Sequence, residues 1–240
     1  MITVYWSCNH HVVPSGLRAQ EPVRLQNHFF GKYSNDQTGG VFGYQQCPSV
    51  RDFFDNLYGL KMFHDYRIDF NTTEGIINCS DHAQDCLERM LLVRNMESAL
   101  FSWQPEYIFF TDAKSLELEV YPAFMESNDF VNKTNVIPGV YDIGKWFRPL
   151  DCPFHLKQKH CSLQFSMGDV FLNLRFRTKE KIKFKYFTMS RELSDFIANI
   201  LQVRMNKNPS KTTSVLSYYY DLFTRKKLKK QILKLINEGF

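Results

Sequence analysis

The middle of the chain is a series of short runs of β-branched and aromatic residues, each followed by turn-forming residues. Such runs predict β-strands, and their spacing is typical of an antiparallel sandwich or barrel. Residues 116–120 alternate Leu-Glu-Leu-Glu-Val, which predicts one buried face and one acidic, hydrated face. The predicted strands are 107–111, 116–121, 136–141, 163–165, 170–178 and 181–187.

The N-terminal part of the chain has weaker strand signals. Residues 2–7 predict an opening strand, and residues 60–70 predict another that ends at the turn-like segment 71–75. Residues 8–46, which follow the opening strand, are polar and rich in glycine and therefore predict a loop.

Two short N-terminal helices are predicted from capping residues. Ser49 is the predicted N-cap of the first helix, and Gly59 is its predicted stop signal. Ser80 is the predicted cap of the second, over 81–94.

The C-terminal part has a helical pattern. Ser190 begins a helix whose apolar residues recur at helical spacing until Asn208 and Pro209 end it. A second helix is predicted over 211–238, with apolar residues on one side and lysines on the other. These two helices are expected to cover the β-rich part of the chain.

These patterns predict an α+β fold, in which an antiparallel β-sandwich or barrel-like core carries two C-terminal helices and short N-terminal helices. A chain of 240 residues with 44% hydrophobic residues can bury a sizeable core. We expect a single domain over 1–240, with the β-rich core at about 100–188 and the helical region at about 190–240.

Charge is concentrated at the C-terminus. The whole chain has a net charge of +5, and residues 205–240 hold eight Lys or Arg against Asp221 and Glu238, which leaves the rest close to neutral. The first residues show no basic or apolar signal region, and no apolar run is long enough to cross a bilayer. We therefore expect a soluble cytosolic protein without membrane contact, whose six cysteines are thiols or metal ligands rather than disulfides.

Several His and Cys residues are candidate metal ligands or catalytic groups. Cys152, His155, His160 and Cys161 could converge on zinc, but their spacing matches no known knuckle, so we expect no metal and no cofactor. His82 and Cys86 lie four residues apart on a predicted helix, and a packed cysteine is the simpler interpretation. Known catalytic motifs are missing from the sequence, which leaves open whether the protein is an enzyme.

The segment 137–150 is the most distinctive loop. Pro138 and Gly139 suit a type II turn, and an acid, a lysine, a tryptophan and an arginine follow within ten residues. One interpretation is a rigid turn in which Trp146 fills the core. The alternative is a pocket wall that binds a ligand through four candidate residues. These are Asp142, Lys145, Trp146 and Arg148.

Two further segments are strongly cationic. Between 174 and 186 the basic residues occupy odd positions and the apolar ones even positions, which across a hairpin would give a cationic face for anions. Edge lysines that prevent strand association are the alternative. The basic segment 225–230 suits a solvated helix face, a nucleic-acid contact or a docking helix for a protein partner or second copy. The residues of the predicted anion-binding face are Arg175, Arg177, Lys181, Lys183 and Lys185.

Four motifs are spread over the β-rich part of the chain. They are Trp103-Gln104-Pro105, Pro138-Gly139, Trp146-Phe147-Arg148-Pro149 and Met167-Gly168-Asp169-Val170. Together they resemble a family of tailed-bacteriophage proteins of unknown function, particularly from marine T4-like phages. The resemblance covers about 100–190 and implies a viral origin, a β-rich fold and a location in the host cytoplasm or the virion, without an activity.

A second resemblance concerns trimeric dUTP pyrophosphatases, whose β-clip fold places an aspartate against a deoxyribose. Gly139-Val140-Tyr141-Asp142, followed later by Met167-Gly168-Asp169, is similar to the order of two of their elements. The chain lacks that family's Ser-bearing phosphate motif and Gly-rich C-terminal arm. The leading hypothesis is a phage accessory or structural protein that acts by binding, and its rival is a cupin-like or β-clip sandwich that binds or transforms a ligand at 139–148.

Overall fold

The computed structural model describes residues 1–8, 20–33, 47–79, 90–206, 215–225 and 227–238. Within these residues the chain forms β-strands and α-helices in the following order. The strands are β1 (Ile2–Cys8), β2 (Val23–Arg24), β3 (Leu57–Lys61), β4 (Tyr66–Asn71), β5 (Ile76–Cys79), β6 (Leu91–Asn95), β7 (Leu100–Trp103), β8 (Tyr107–Thr111), β9 (Glu117–Pro122), β10 (Thr134–Val136), β11 (Gly139–Asp142), β12 (Cys152–Leu156), β13 (His160–Phe165), β14 (Val170–Phe176) and β15 (Ile182–Tyr186). The helices are α1 (Leu25–Tyr33), α2 (Pro48–Phe54), α3 (Asp129–Lys133), α4 (Arg191–Asn206), α5 (Val215–Arg225) and α6 (Leu228–Glu238).

The strands pair into four sheets. Their orders are β15-β1-β8, β10-β12-β7-β6, β11-β9-β14-β3-β2 and β13-β4-β5. Among the described strands, β1 and β15 pair in parallel and the other neighbours are antiparallel. A parallel pair needs a long connection, and here that connection is most of the β-rich region.

All four sheets contribute buried side chains to one large apolar cluster. Trp6, Phe101, Leu163 and Leu174 each come from a different sheet and are almost completely inaccessible to solvent. Aromatic rings fill much of this space, and large aromatic side chains bury more apolar area than any other residue type. This cluster is therefore the main core of the β-rich region.

The predicted fold class is confirmed, because the molecule is a mixed α+β structure with several antiparallel sheets. The described strands do not close into a single barrel. The predicted strand at 107–111 is β8, and the alternation predicted at 116–120 is confirmed in β9, where Leu118 and Val120 are buried and Glu119 is more exposed.

Three local predictions were wrong. The second N-terminal helix was expected to reach 94, but 91–95 is strand β6, which pairs with β7. The predicted strand 60–70 is two strands, β3 and β4. The loop predicted over 8–46 is the third, because its described part contains strand β2 and helix α1. Residues 9–19, 34–46 and 80–89, the last with the pair of His82 and Cys86, lie outside the described residues.

Gly59 is also not a helix stop. Helix α2 begins after Cys47 and ends at Phe54, and Gly59 lies within β3. A Cβ atom at Gly59 would lie 2.8 Å from Val170 and 2.9 Å from Leu25. Glycine is required here because α1 and β14 approach the strand closely.

The cationic hairpin predicted between 174 and 186 was wrong in its pairing. Strand β14 pairs with β3 and β9, whereas β15 pairs with β1 in another sheet. The odd-numbered basic residues therefore belong to two sheets and do not form one continuous face.

The C-terminal region contains three described helices rather than two. The predicted helix 211–238 is divided at Lys227, whose backbone is left-handed with φ 52°. Helices α4, α5 and α6 pack over Phe110, Phe147 and Phe187, which form a second apolar cluster with them. Among the described residues, no helix is both long and apolar enough to cross a membrane.

Candidate functional site

A cleft with a volume of about 720 Å³ lies where the end of β14 meets the turn after α2. We call it the β14 cleft. Two of its residues, Arg175 and Arg177, belong to the anion-binding face predicted from the sequence. The residues that line it are Asp52, Asp55, Arg175, Phe176, Arg177, Thr178 and Lys179.

Arg175 is the innermost cation of the β14 cleft. It is half-buried on β14, and its guanidinium carbon lies 5.2 Å from the centre of the Phe53 ring. A guanidinium over a ring face is attracted by the negative face of the π-system. No carboxylate of a described residue lies within 4.0 Å of this guanidinium, so its charge is available to the cleft.

Arg177 and Lys179 stand at the open end of the β14 cleft. Arg177 pairs with Glu119 at 2.7 Å and Glu117 at 3.5 Å, but its side chain is still 60% exposed. Lys179 is exposed, and no described carboxylate lies within 4.0 Å of its ammonium group. The cleft thus has one neutralised and two unneutralised cations.

The carboxylates of Asp52 and Asp55 oppose these cations. Asp55 pairs with Arg24 at 3.4 Å, so its charge is partly balanced. Asp52 is exposed in the last turn of α2, with no described basic side chain within 4.0 Å. The lining therefore has a small positive excess rather than a strong field.

Asn56 fixes the backbone of the cleft. It is 5% exposed and left-handed with φ 53°, a conformation that Asn tolerates better than most residues. Its side-chain amide donates hydrogen bonds to the carbonyl oxygens of Thr178 and Glu180, both at 2.8 Å. The backbone carbonyl oxygen of Asn56 accepts a hydrogen bond from the Phe176 N–H at 3.0 Å. One residue therefore holds the segment that carries Arg177 and Lys179.

Two partly exposed aromatic rings lie next to the β14 cleft without lining it, since Phe53 contacts Arg175 and Phe124 contacts Phe53. Phe53 and Phe124 are 38% and 46% exposed, and their ring centres lie 5.6 Å apart at an interplanar angle of 75°. Tyr121 stacks on Phe124 with ring centres 6.2 Å apart. Burial raises the pKa of Tyr121 to about 12, against the opposing effect of Arg175, so this phenol is neutral near pH 7.

The other predicted anion-binding residues lie elsewhere. Lys181 directly precedes β15 and Lys183 lies within it, and both are exposed. Lys185 of the same strand lies 5.8 Å from the centre of the Tyr5 ring in neighbouring β1. The structure therefore brings Arg175 and Arg177 together at one cleft, whereas Lys183 and Lys185 belong to a different sheet.

The loop that follows β11 brings all four of its predicted ligand-binding residues close together. The carboxylate of Asp142 accepts hydrogen bonds from the Ser115 hydroxyl at 2.9 Å and the Leu116 N–H at 3.2 Å. It also accepts from the Gly144 N–H at 3.0 Å and pairs with Lys145 at 3.0 Å. Each of these contacts links Asp142 either to another residue of its own loop or to the loop that precedes β9.

Trp146 is only 8% exposed and packs against Tyr141 and Tyr219, with ring centres 4.8 Å and 5.0 Å away. The guanidinium carbon of Arg148 lies 5.0 Å from the centre of the Trp146 ring and 6.0 Å from that of Tyr219. These are the contacts expected from the rigid-turn interpretation. The ligand-binding interpretation stays a prediction.

Helix α5 is fastened to the same loop, and α6 to the connection before β9. The Tyr220 hydroxyl accepts from the Asp142 N–H at 2.7 Å, and the Tyr219 hydroxyl accepts from the Phe147 N–H at 3.0 Å. Lys229 of α6 donates to the carbonyl oxygen of Ala113, between β8 and β9. The loop after β11 is thus a docking surface for α5.

The basic side of α6 is exposed. Lys227, Lys230 and Lys234 face solvent, and Lys234 pairs with Glu238 at 3.5 Å. The apolar side is buried through Leu228, Ile232 and Ile236. This arrangement fits a covering helix whose lysines form a solvated face.

The possible zinc ligands do not converge in the strand that carries two of them. Cys152 and His155 lie on β12, where Cys152 is buried and His155 points away, because side chains three apart in a strand face opposite sides. Burial raises the pKa of the Cys152 thiol well above its usual range. Within the described part of the chain, no three His, Cys, Asp or Glu side chains form a metal-binding group.

Phe53, Phe124, Asp52 and Asn56 were not identified from the sequence. They lie in α2 and in the connections before β3 and after β9, so only folding brings them together. The one local signal is Asn56, a residue tolerant of left-handed backbone between a helix and a strand. In comparisons with known proteins, no family model matches this chain and no curated protein matches it.

Proposed function

We propose that the protein is a bacteriophage accessory or structural protein that acts by binding an anionic ligand in the β14 cleft. The observation that carries the proposal is the pair Arg175 and Lys179, which lack a described carboxylate partner, within a cleft of about 720 Å³. That volume is within the usual range for ligand sites. The viral context rests on the motif resemblance and implies the host cytoplasm or the virion.

The backbone of the cleft supports the proposal. Asn56 holds the carbonyl groups of Thr178 and Glu180, so the segment between them does not need to become ordered when a ligand binds. A site that is already ordered loses less conformational entropy on binding.

The β14 cleft is favoured over the loop at 139–148. The carboxylate of Asp142 is already engaged by four donors, and Trp146 is buried against α5. A ligand at that loop would have to compete with contacts that fasten the C-terminal helices. Among the described residues, no ion pair of Lys179 would compete with a ligand.

Calorimetric titration with inorganic tripolyphosphate tests this proposal. We expect the natural chain to bind tripolyphosphate with an affinity that falls as salt is raised. Arg175→Gln and Lys179→Gln should each lower that affinity at a fixed salt concentration. Lys159→Gln is the matched control, since it removes the same charge from the exposed turn between β12 and β13. Absence of binding, or equal binding by the variant lacking both cations, would overturn the proposal.

A further inference from the structure

We infer that the anionic ligand of the β14 cleft is single-stranded nucleic acid, an assignment that rests on the proposed function. The observation that leads beyond simple anion binding is the pair of exposed rings beside the cations. Phe53 and Phe124 are 38% and 46% exposed, although large aromatic side chains are usually buried. Exposed rings next to cationic side chains are how sequence-tolerant sites bind unpaired bases and phosphates together.

Arg175 joins the two parts of this surface. Its guanidinium lines the cleft and lies 5.2 Å from the centre of the Phe53 ring. A planar guanidinium can stack on a base and can also donate hydrogen bonds to a phosphate. A nucleotide whose phosphate meets Arg175 therefore has the Phe53 ring within reach of its base.

The two rings favour unpaired bases over a duplex. Phe53 and Phe124 meet at an interplanar angle of 75°, so bases that stacked on both would have to be splayed apart. Bases in a duplex are stacked on one another, and their faces are not accessible to side chains. A single strand exposes those faces without the cost of unstacking a helix.

The charges around the cleft indicate a short contact. Arg24 and Arg177 are paired with carboxylates, which leaves Arg175 and Lys179 to meet phosphates. With so few ionic contacts, stacking must provide much of the affinity. An acidic peptide would satisfy the same cations, but its carboxylates would gain nothing from the rings.

Fluorescence polarisation on the full chain tests the inference with three labelled probes: oligodeoxythymidylate, an abasic deoxyribose-phosphate oligomer of equal length, and poly-glutamate. We expect the thymidylate strand to bind tightest. Phe124→Leu should weaken thymidylate binding by about fivefold or more while leaving tripolyphosphate binding unchanged, and Phe53→Leu should weaken thymidylate binding by a similar factor. Both rings are exposed, so these variants are expected to fold.

Asp52→Asn should have the opposite effect on thymidylate binding. Removing an exposed negative charge from the last turn of α2 does not endanger the fold, because negative charge is unfavourable at a helix C-terminus. It should strengthen thymidylate binding by about two- to fivefold, since a phosphate no longer meets that carboxylate. Unchanged or weaker binding by Asp52→Asn would contradict the placement of phosphates in the cleft.

The remaining outcomes separate the inference from the proposed function. Equal binding of thymidylate and abasic strands, or of thymidylate and poly-glutamate, would overturn the inference and leave anion binding intact. A larger loss from the double variant Lys230→Gln and Lys234→Gln than from Arg175→Gln would assign the strand to α6 and overturn it as well. If neither the strands nor tripolyphosphate bind, the proposed function itself is wrong.

Discussion

The side chain of Asn56 and the backbone of Thr178 join two segments that lie 122 residues apart in the chain. The amide of Asn56 donates to the Thr178 carbonyl oxygen at 2.8 Å, while Asn56 itself is left-handed at φ 53°. A single residue therefore satisfies a local backbone requirement and positions the cations of the β14 cleft.

Asn56→Ala should lose both the hydrogen bonds of the side chain and the tolerance of a left-handed backbone. We expect it to destabilise the fold by about 2–3 kcal/mol, from lost hydrogen bonds and the cost of a left-handed alanine. Asn56→Gly restores the backbone freedom without the hydrogen bonds and should cost clearly less. Chemical denaturation measures both. Equal losses from the two variants would show that the backbone conformation contributes nothing.

Trp146→Ala should destabilise the fold by about 3–5 kcal/mol, as expected for a buried aromatic side chain. Trp146→Phe should cost much less, because the indole N–H is buried without a hydrogen-bond partner among the described residues and its removal leaves nothing unsatisfied. Met167→Ala, at a 64% exposed residue, is the control. An unchanged melting temperature for Trp146→Ala, with loss of a ligand, would favour the pocket interpretation of the loop.

The carboxylate of Asp142 gives the fold a pH dependence. Burial alone would raise its pKa, but hydrogen bonds from Lys145, Ser115 and the Leu116 N–H outweigh that effect and lower it below its ordinary value of 3.8. A lowered pKa in the folded state stabilises the protein at pH above the unfolded-state pKa. That stabilisation is lost as pH falls through the folded-state pKa.

Asp142→Asn should therefore be less stable than the natural chain at pH 7, by about 1–3 kcal/mol. The difference should shrink as pH falls below about 4, because the natural carboxyl is then protonated as well. Urea denaturation at several pH values measures it. Asp221→Asn removes an exposed carboxylate from α5 and should show little difference at any pH. A difference for Asp142→Asn that is independent of pH would exclude the assigned role of the charge.

The sequence alone predicted those elements whose type, helix or strand, does not depend on the segment with which they pair. The alternation at 116–120 became β9, because period-2 hydrophobicity is set by the strand itself. The apolar run at 107–111 became β8, which is buried on both faces. The segment 91–95 shows the limit of that reasoning. Its apolar residues also fit a helix, and pairing with β7 decides for the strand.

Pairing between distant segments also explains why the cationic face was predicted incorrectly. Alternation correctly placed Arg175 and Lys183 on one side of their own strands. It could not show that β15 pairs in parallel with β1, whose residues are about 180 positions earlier. The β14 cleft was missed for the same reason, since Phe53, Phe124 and Arg175 meet only after three separate segments have folded.

The C-terminal helices are expected to be required for the fold. Leu228, Ile232 and Ile236 of α6 are buried, and Leu235 is packed against the same cluster. Their burial supports the sequence expectation that this helix covers the β-rich region. Ile232→Ala should destabilise the fold by about 2–5 kcal/mol, whereas Lys230→Ala on the exposed side should change stability by less than about 0.5 kcal/mol.

Truncation after Asn208 is the stronger test. It removes α5 and α6, and with them the Tyr219 and Tyr220 hydroxyl groups that accept from the Phe147 and Asp142 N–H groups. It also exposes Phe110 and Phe147, which are completely buried in the full chain. We expect the truncated chain to lose cooperative thermal unfolding and to become sensitive to protease. A truncated chain that melts cooperatively near the temperature of the full chain would show that α5 and α6 are a dispensable arm, and that their buried face contributes little to folding.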